Sequence, residues 1–243
     1  MCPEAQLGYD QATCKPRIFS CNKMRINADF SKPAMVIPRD DDWVCSPESG
    51  VDRLMLDRVG DEVARATSMV RYAPGSSFFQ HLHARGEEFL VLDGVFSDEN
   101  GDYPSGTYVR NPPGSRHAPR SDGGCRILVK LRQFEPADLV PVVIDTNDDA
   151  LWRDGGDGTL RLALHTFGAE KVEMRRISAG MEFSLDGAAG GAELLVVRGT
   201  LWTGATRLRD ESWLRLPRGS SEVLLAEQDT IAWIKTGHLP PDL

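Results

Sequence analysis

Short apolar or alternating runs recur along nearly the whole chain, each closed by Gly, Pro or Asp. Residues 63–72 read as a strand ended by Ala73-Pro74-Gly75. Residues 88–92 are an apolar run closed by Asp93-Gly94, and residues 107–111 alternate before Pro112-Pro113-Gly114. Residues 125–131 form another strand-like run after Asp122-Gly123-Gly124. No segment keeps a helical apolar period over several turns. Short strands with turn residues at close spacing predict an all-β sandwich or barrel.

The pattern also repeats. Residues 73–131, shifted by 105 positions without gaps, fall on 178–236, and 13 of the 59 pairs are identical. The identities include Gly75/Gly180, Gly86/Gly191, Glu88/Glu193, Gly94/Gly199, Arg110/Arg215, Pro112/Pro217, Ser115/Ser220 and Lys130/Lys235. Turn residues and strand-core residues are what a duplicated fold retains. Upstream, a gap of three or four residues pairs Trp43 with Trp152. The expected organisation is an extension over 1–24, a first β-domain over 25–145 and a second over 146–243.

Composition narrows the function classes. The 243 residues are 41% hydrophobic and 26% charged, ordinary for a globular protein long enough for a large core. Net charge is −8, shared evenly between the two parts. Without a basic stripe, nucleic-acid binding is not expected, nor is docking on anionic membranes. The apolar runs are too short to span a bilayer, and the N-terminus lacks the pattern of a signal peptide. The expected location is the cytoplasm. Five cysteines, an odd number with no CxxC pair, argue against a disulfide framework. Three of them (Cys2, Cys14 and Cys21) lie in the extension.

One constellation carries chemistry. The first copy reads Gly75-x5-His81-x-His83-x3-Glu87-x6-Gly94, then Gly106-x5-Pro112-x-Gly114-x2-His117. Residues two apart on a strand share a face, so His81 and His83 project together. Glu87 follows the turn at residues 84–86, and His117 can approach from another strand. Three imidazoles and a carboxylate suit one divalent ion such as Zn, Fe, Mn or Ni, and a five- or six-coordinate ion would keep positions open. Glu88 is a competing ligand, but the second copy repeats it as Glu193, so it serves something both copies share. The second copy carries Asp186, Ala188, Ala192 and Glu222 at the four ligand positions, and no tight metal site is expected there.

These two motifs resemble the signature motifs of the cupin superfamily, with the spacings matched up to His117. Position 121, often Asn in cupins, is Ser here. Residues 64–75, 87–98 and 110–114 further resemble the ChrR-like cupins, and the likeness covers about 25–240. The resemblance implies a bicupin: two double-stranded β-helix (jelly-roll) barrels in tandem, with the metal inside the first. The group includes the cupin domain of a zinc-containing anti-sigma factor and is similar to acetylacetone-cleaving dioxygenases. It therefore implies either an Fe(II)-type dioxygenase acting on a β-dicarbonyl or related small molecule, or a metal-dependent sensor or small-molecule binder. The extra Glu87 shifts the likeness toward the four-ligand site of the anti-sigma cupin. Residues 1–50 hold no His and no CxxC, so the sigma-binding part is not expected.

Proximity to the motifs makes Tyr72, Phe78, Gln80, Tyr108, Arg110 and Arg116 candidates for the pocket lining. Tyr108 and Arg110 share a strand face, and either Arg110 or Arg116 could hold an anionic substrate. His165 and His238 lie outside the motifs and read as structural or surface histidines. A homodimer is the default for this architecture.

Overall fold

The computed structural model describes residues 24–61, 63–188 and 190–240. The extension expected over 1–24, with Cys2, Cys14 and Cys21, lies outside them except for Met24. Among the described residues the regular structure is β, with two 3-10 turns at Asp40–Asp42 and Asp149–Leu151. No described helix is long and apolar enough to cross a membrane.

Two large antiparallel sheets repeat one plan. The first runs Arg25–Ile26, Val51–Val59, Arg65–Tyr72, Cys125–Leu131, Glu87–Asp98, Thr107–Asn111, Val142–Asp145. The second runs Arg153–Asp154, Leu160–Phe167, Glu170–Ile177, Thr230–Thr236, Ala192–Arg198, Trp213–Leu216, Ala34–Val36. Each half closes with small pairings: His81–Leu82 on Arg116–His117 in the first, and Glu182–Asp186, Ser221–Ala226, Leu201–Thr203 and Thr206–Leu208 in the second. The described chain is thus all-β, arranged as two barrels. Even the bulges recur, between Met55 and Asp57 and between Ala163 and His165.

The last strand of each large sheet is the unexpected one. Ala34–Val36 pairs with Trp213–Leu216, so Ala34 lies opposite Arg215. Val142–Asp145 pairs with Thr107–Asn111, so Val142 lies opposite Arg110. The strand at 34–36 therefore leaves the segment 25–145 to complete the other half's sheet.

Alternation along the strands sorts the side chains into three cores. Phe89, Val91, Val109, Ile127 and Val129 fill the first barrel, with Tyr72 and Phe96. Leu185, Leu194, Val196, Leu214, Leu216 and Leu224 fill the second. Between the large sheets lies the third, with Leu54, Leu90, Tyr108, Leu128, Leu195, Trp213 and Trp233. Consecutive residues of one strand thus serve two cores: Phe89 looks into its barrel and Leu90 toward the other half.

The polar members of that interface explain Glu88. Its carboxylate meets Lys235 at 2.5 Å, and Glu193 meets Lys130 at 2.6 Å. Each half's lysine neutralises the other half's glutamate. The Tyr108 hydroxyl donates to Glu88 at 2.8 Å, and the Trp213 indole, its counterpart in the repeat, donates to Glu193 at 3.3 Å. His238 lies 2.9 Å from Glu193, and His165 lies 2.8 Å from Asp138. Both histidines are structural.

Candidate metal centre

The strand Glu87–Asp98 delivers Glu87 to the barrel interior on the face opposite Glu88. Gly86 makes the preceding turn at φ +75°, and a Cβ there would lie 2.4 Å from the Phe134 ring. His83 is fixed by its backbone: its N–H donates to Ser115 O at 2.9 Å and its carbonyl accepts from Gly114 N at 2.9 Å. His81 stands directly opposite His117 in the short pairing at the barrel mouth.

These four side chains converge. One ligand atom from each of His81, His83, Glu87 and His117 lies within 4.8 Å of the others. The imidazole centroids are 5.0, 5.0 and 4.5 Å apart. Glu87 Oε1 is 3.3 Å from His117 Nε2 and 3.6 Å from His83 Nε2. His83, Glu87 and His117 are buried, whereas His81 is exposed and marks the open side.

The outer nitrogens show which atoms are free to bind. His81 Nδ1 lies 3.1 Å from Phe79 O, which can only accept. His117 Nδ1 lies 3.1 Å from the Asp98 carboxylate. His83 Nδ1 lies 3.0 Å from Ser115 Oγ, whose own proton goes to Pro112 O at 2.7 Å. All three partners therefore ask for the Nδ1–H tautomer and leave an Nε2 lone pair facing the centre. Nε2 of His83 and of His117 is buried with no hydrogen-bond partner. An orphaned buried nitrogen is costly unless something binds it. Burial also holds His83 below its ordinary pKa, opposed chiefly by Glu87, which favours the neutral form a metal needs. The donor set fits a divalent ion.

A second acid–histidine group, Asp138, His165 and Glu170, also clusters. Arg110 fills it, 2.6 Å from Asp138 and 2.9 Å from Glu170, and Lys235 lies 3.0 Å from Glu170. Those cations already satisfy its charge.

The pocket candidates divide. Tyr72 and Phe78 line the first barrel, with ring centroids 5.7 Å apart, and Phe78 lies 6.3 Å from His81. Burial, reinforced by Glu87, raises the Tyr72 phenol well above its ordinary pKa, so it keeps its proton. Tyr108 and Arg110 do share a face, but it is the interface face. There Arg110 bonds Glu88, Asp138 and Glu170, so neither residue lines the metal pocket. Gln80 and Arg116 are exposed, and Gln80 reaches only Glu99, at 3.5 Å. Asn111, which donates to Glu87 Oε1 at 3.4 Å, was not anticipated, nor were Asp98 and Ser115. Asn111 was within reach of the sequence, because it lies two residues from Val109 on the same strand face.

At the second copy's ligand positions, Asp186 accepts from Ala188 N at 2.7 Å and Glu222 accepts from the Thr203 hydroxyl. Leucines occupy the interior beside them.

Residues 31–135 match the model of the ChrR cupin-like domain. The matched segment, in the first half of the chain, is a ChrR cupin-like domain. No curated protein matches it in sequence. Solved structures similar to it include protein YlbA from E. coli, at 12% identity over 85% of this chain and 91% of that one, TM-score 0.65. The bacterial pirin YhhW from E. coli, in complex with nickel(II), aligns at 14% identity over 85% and 99%, TM-score 0.62. Salicylate 1,2-dioxygenase from Pseudoaminobacter salicylatoxidans aligns at 12% over 70% and 67%, TM-score 0.56. At these identities the likeness is one of fold.

Proposed function

We propose that the first barrel binds one divalent metal through His81, His83, Glu87 and His117, and that the centre acts on a small molecule as a dioxygenase. The observation that carries this reading is the set of three imidazoles, each with Nδ1 tied to an acceptor, with Nε2 of His83 and of His117 3.6 and 3.3 Å from Glu87 Oε1. A metal of the Fe(II) type would supply Lewis acidity and redox chemistry toward a chelating β-dicarbonyl or related substrate. The chain's residues would do the rest. Tyr72 and Phe78, with Phe96 5.8 Å from His117, form an apolar wall that excludes water. Tyr72 keeps a proton available for hydrogen bonding, and exposed His81 leaves the route by which a ligand enters. Both a dioxygenase and a nickel-bound pirin occur among the fold neighbours.

A second reading rests on Glu87. A fourth protein ligand fills a position that substrate or dioxygen could otherwise use. With the match to the ChrR model, it favours a metal-dependent sensor or small-molecule binder.

The test is elemental analysis of untagged protein beside His81→Ala and Glu222→Ala. One equivalent of metal, lost only in His81→Ala, supports the site. Undiminished metal in His81→Ala overturns it. Iron with dioxygen uptake on β-dicarbonyls selects the enzyme, and zinc without turnover selects the binder.

A further inference from the structure

The duplication provides a built-in comparison for the surroundings of the metal centre. Under the 105-residue shift, His117 corresponds to Glu222 and Asp98 to Thr203. In the first barrel His117 Nδ1–H donates to Asp98 Oδ2 at 3.1 Å. In the second the Thr203 hydroxyl donates to Glu222 Oε1. The same two positions are hydrogen-bonded in both halves, with the donor and acceptor exchanged. Where the inner residue has an N–H to give, its partner is a carboxylate; where the inner residue is a carboxylate, its partner is a hydroxyl.

Asp98 is held for this task. Its other oxygen, Oδ1, accepts from Asn100 N at 2.7 Å and from the Tyr103 hydroxyl at 3.3 Å. Both donors pin Oδ1, so Oδ2 is the oxygen turned to His117. Asp98 and His117 are both buried. His83 and His81 lean on a hydroxyl and a carbonyl, so among the described residues Asp98 is the one carboxylate behind a ligand imidazole.

We propose that Asp98 is a positioning residue for the metal centre, acting through His117. It holds the proton on Nδ1 and sets the ring so that the Nε2 lone pair faces Glu87 Oε1, 3.3 Å away. The inference rests on the metal-binding reading above.

Asp98→Asn tests it sharply. Asn100 N and Tyr103 still require an acceptor at Oδ1, so the new amide must turn its NH2 toward His117. That donor moves the imidazole proton to Nε2, the atom that should bind metal. Long-range 1H–15N spectra of metal-free protein report the tautomer, and Zn(II) competition with a chromophoric chelator reports affinity. The expected result is an Nδ1–H His117 in the natural protein, an Nε2–H His117 in Asp98→Asn, and a 10–100-fold loss of Zn(II) affinity. An unmoved proton, or Zn(II) affinity equal to the natural protein's, overturns the proposal. If the natural protein takes up no Zn(II) or other metal, the metal-binding reading fails on its own, while the tautomer measurement still reports on Asp98. Asp98→Ser, expected to weaken affinity in the same direction, replaces the first variant if it does not fold.

Discussion

The Lys130 ammonium lies 2.6 Å from the Glu193 carboxylate, across the boundary between the barrels and fully buried. Thr67 accepts a second hydrogen bond from Lys130 at 2.8 Å. Lys130→Met would leave Glu193 with His238 and Trp213 as its remaining hydrogen-bond partners. Removing one partner of a buried pair costs about 3–5 kcal/mol, and replacing both by apolar residues is often neutral. Urea denaturation should show that loss in Lys130→Met and a partial recovery in Lys130→Met with Glu193→Leu.

His238 should make the protein sensitive to mild acid. Burial pushes its pKa down to about 4, opposed by Glu193. The unfolded chain, titrating near 6.5, then binds more protons than the folded one between these values. Stability therefore falls as pH drops through 6.5 toward 4, by about 2 kcal/mol from this group between pH 7 and pH 5. The repeat places Gln133 at the corresponding position. His238→Gln should flatten this part of the pH dependence, read from urea midpoints at pH 7 and 5.

Gly86 should not tolerate a side chain. Its φ of +75° and the Phe134 ring stand against Gly86→Ala. The strained backbone alone costs about 1–3 kcal/mol. Because Gly86 directly precedes Glu87, thermal melting should fall and metal affinity should weaken together. Gly114→Ala has the same backbone strain at φ +89° but nothing within 4 Å of the added carbon, so it should cost less.

Metal should stabilise the fold it binds. At free metal about a hundredfold above Kd, the gain is about 2.7 kcal/mol. A chelator should lower the melting temperature of the natural protein and leave that of His117→Ala where it was.

Much of this is legible in the sequence. The turn glycines and strand cores revealed the duplication, and four ligand positions at fixed spacing named the residues that converge. Glu88 separates from Glu87 in the sequence because the second copy repeats it, and the structure sets Glu88 against Lys235 and Arg110 and Glu87 beside the imidazoles. The pocket lining was harder to read. Thr107–Asn111 is buried on both faces, so its pattern carries no signal for which face sees the barrel, and Tyr108 and Arg110 fell on the other side. Asp98 was hidden for a different reason. Its role depends on a strand crossing that brings it 3.1 Å from a histidine 19 residues away.

The edge strands of the two large sheets sit in matching places. Ala34–Val36 completes the second barrel, Val142–Asp145 borders the first, and each lysine reaches the other half's glutamate. Contacts reciprocal in this way are those of an isologous pair. Two copies of one barrel carrying both a lysine and a glutamate at these positions satisfy such contacts by pairing with each other. Once both barrels were on one polypeptide, one copy could lose its histidines while the other kept them.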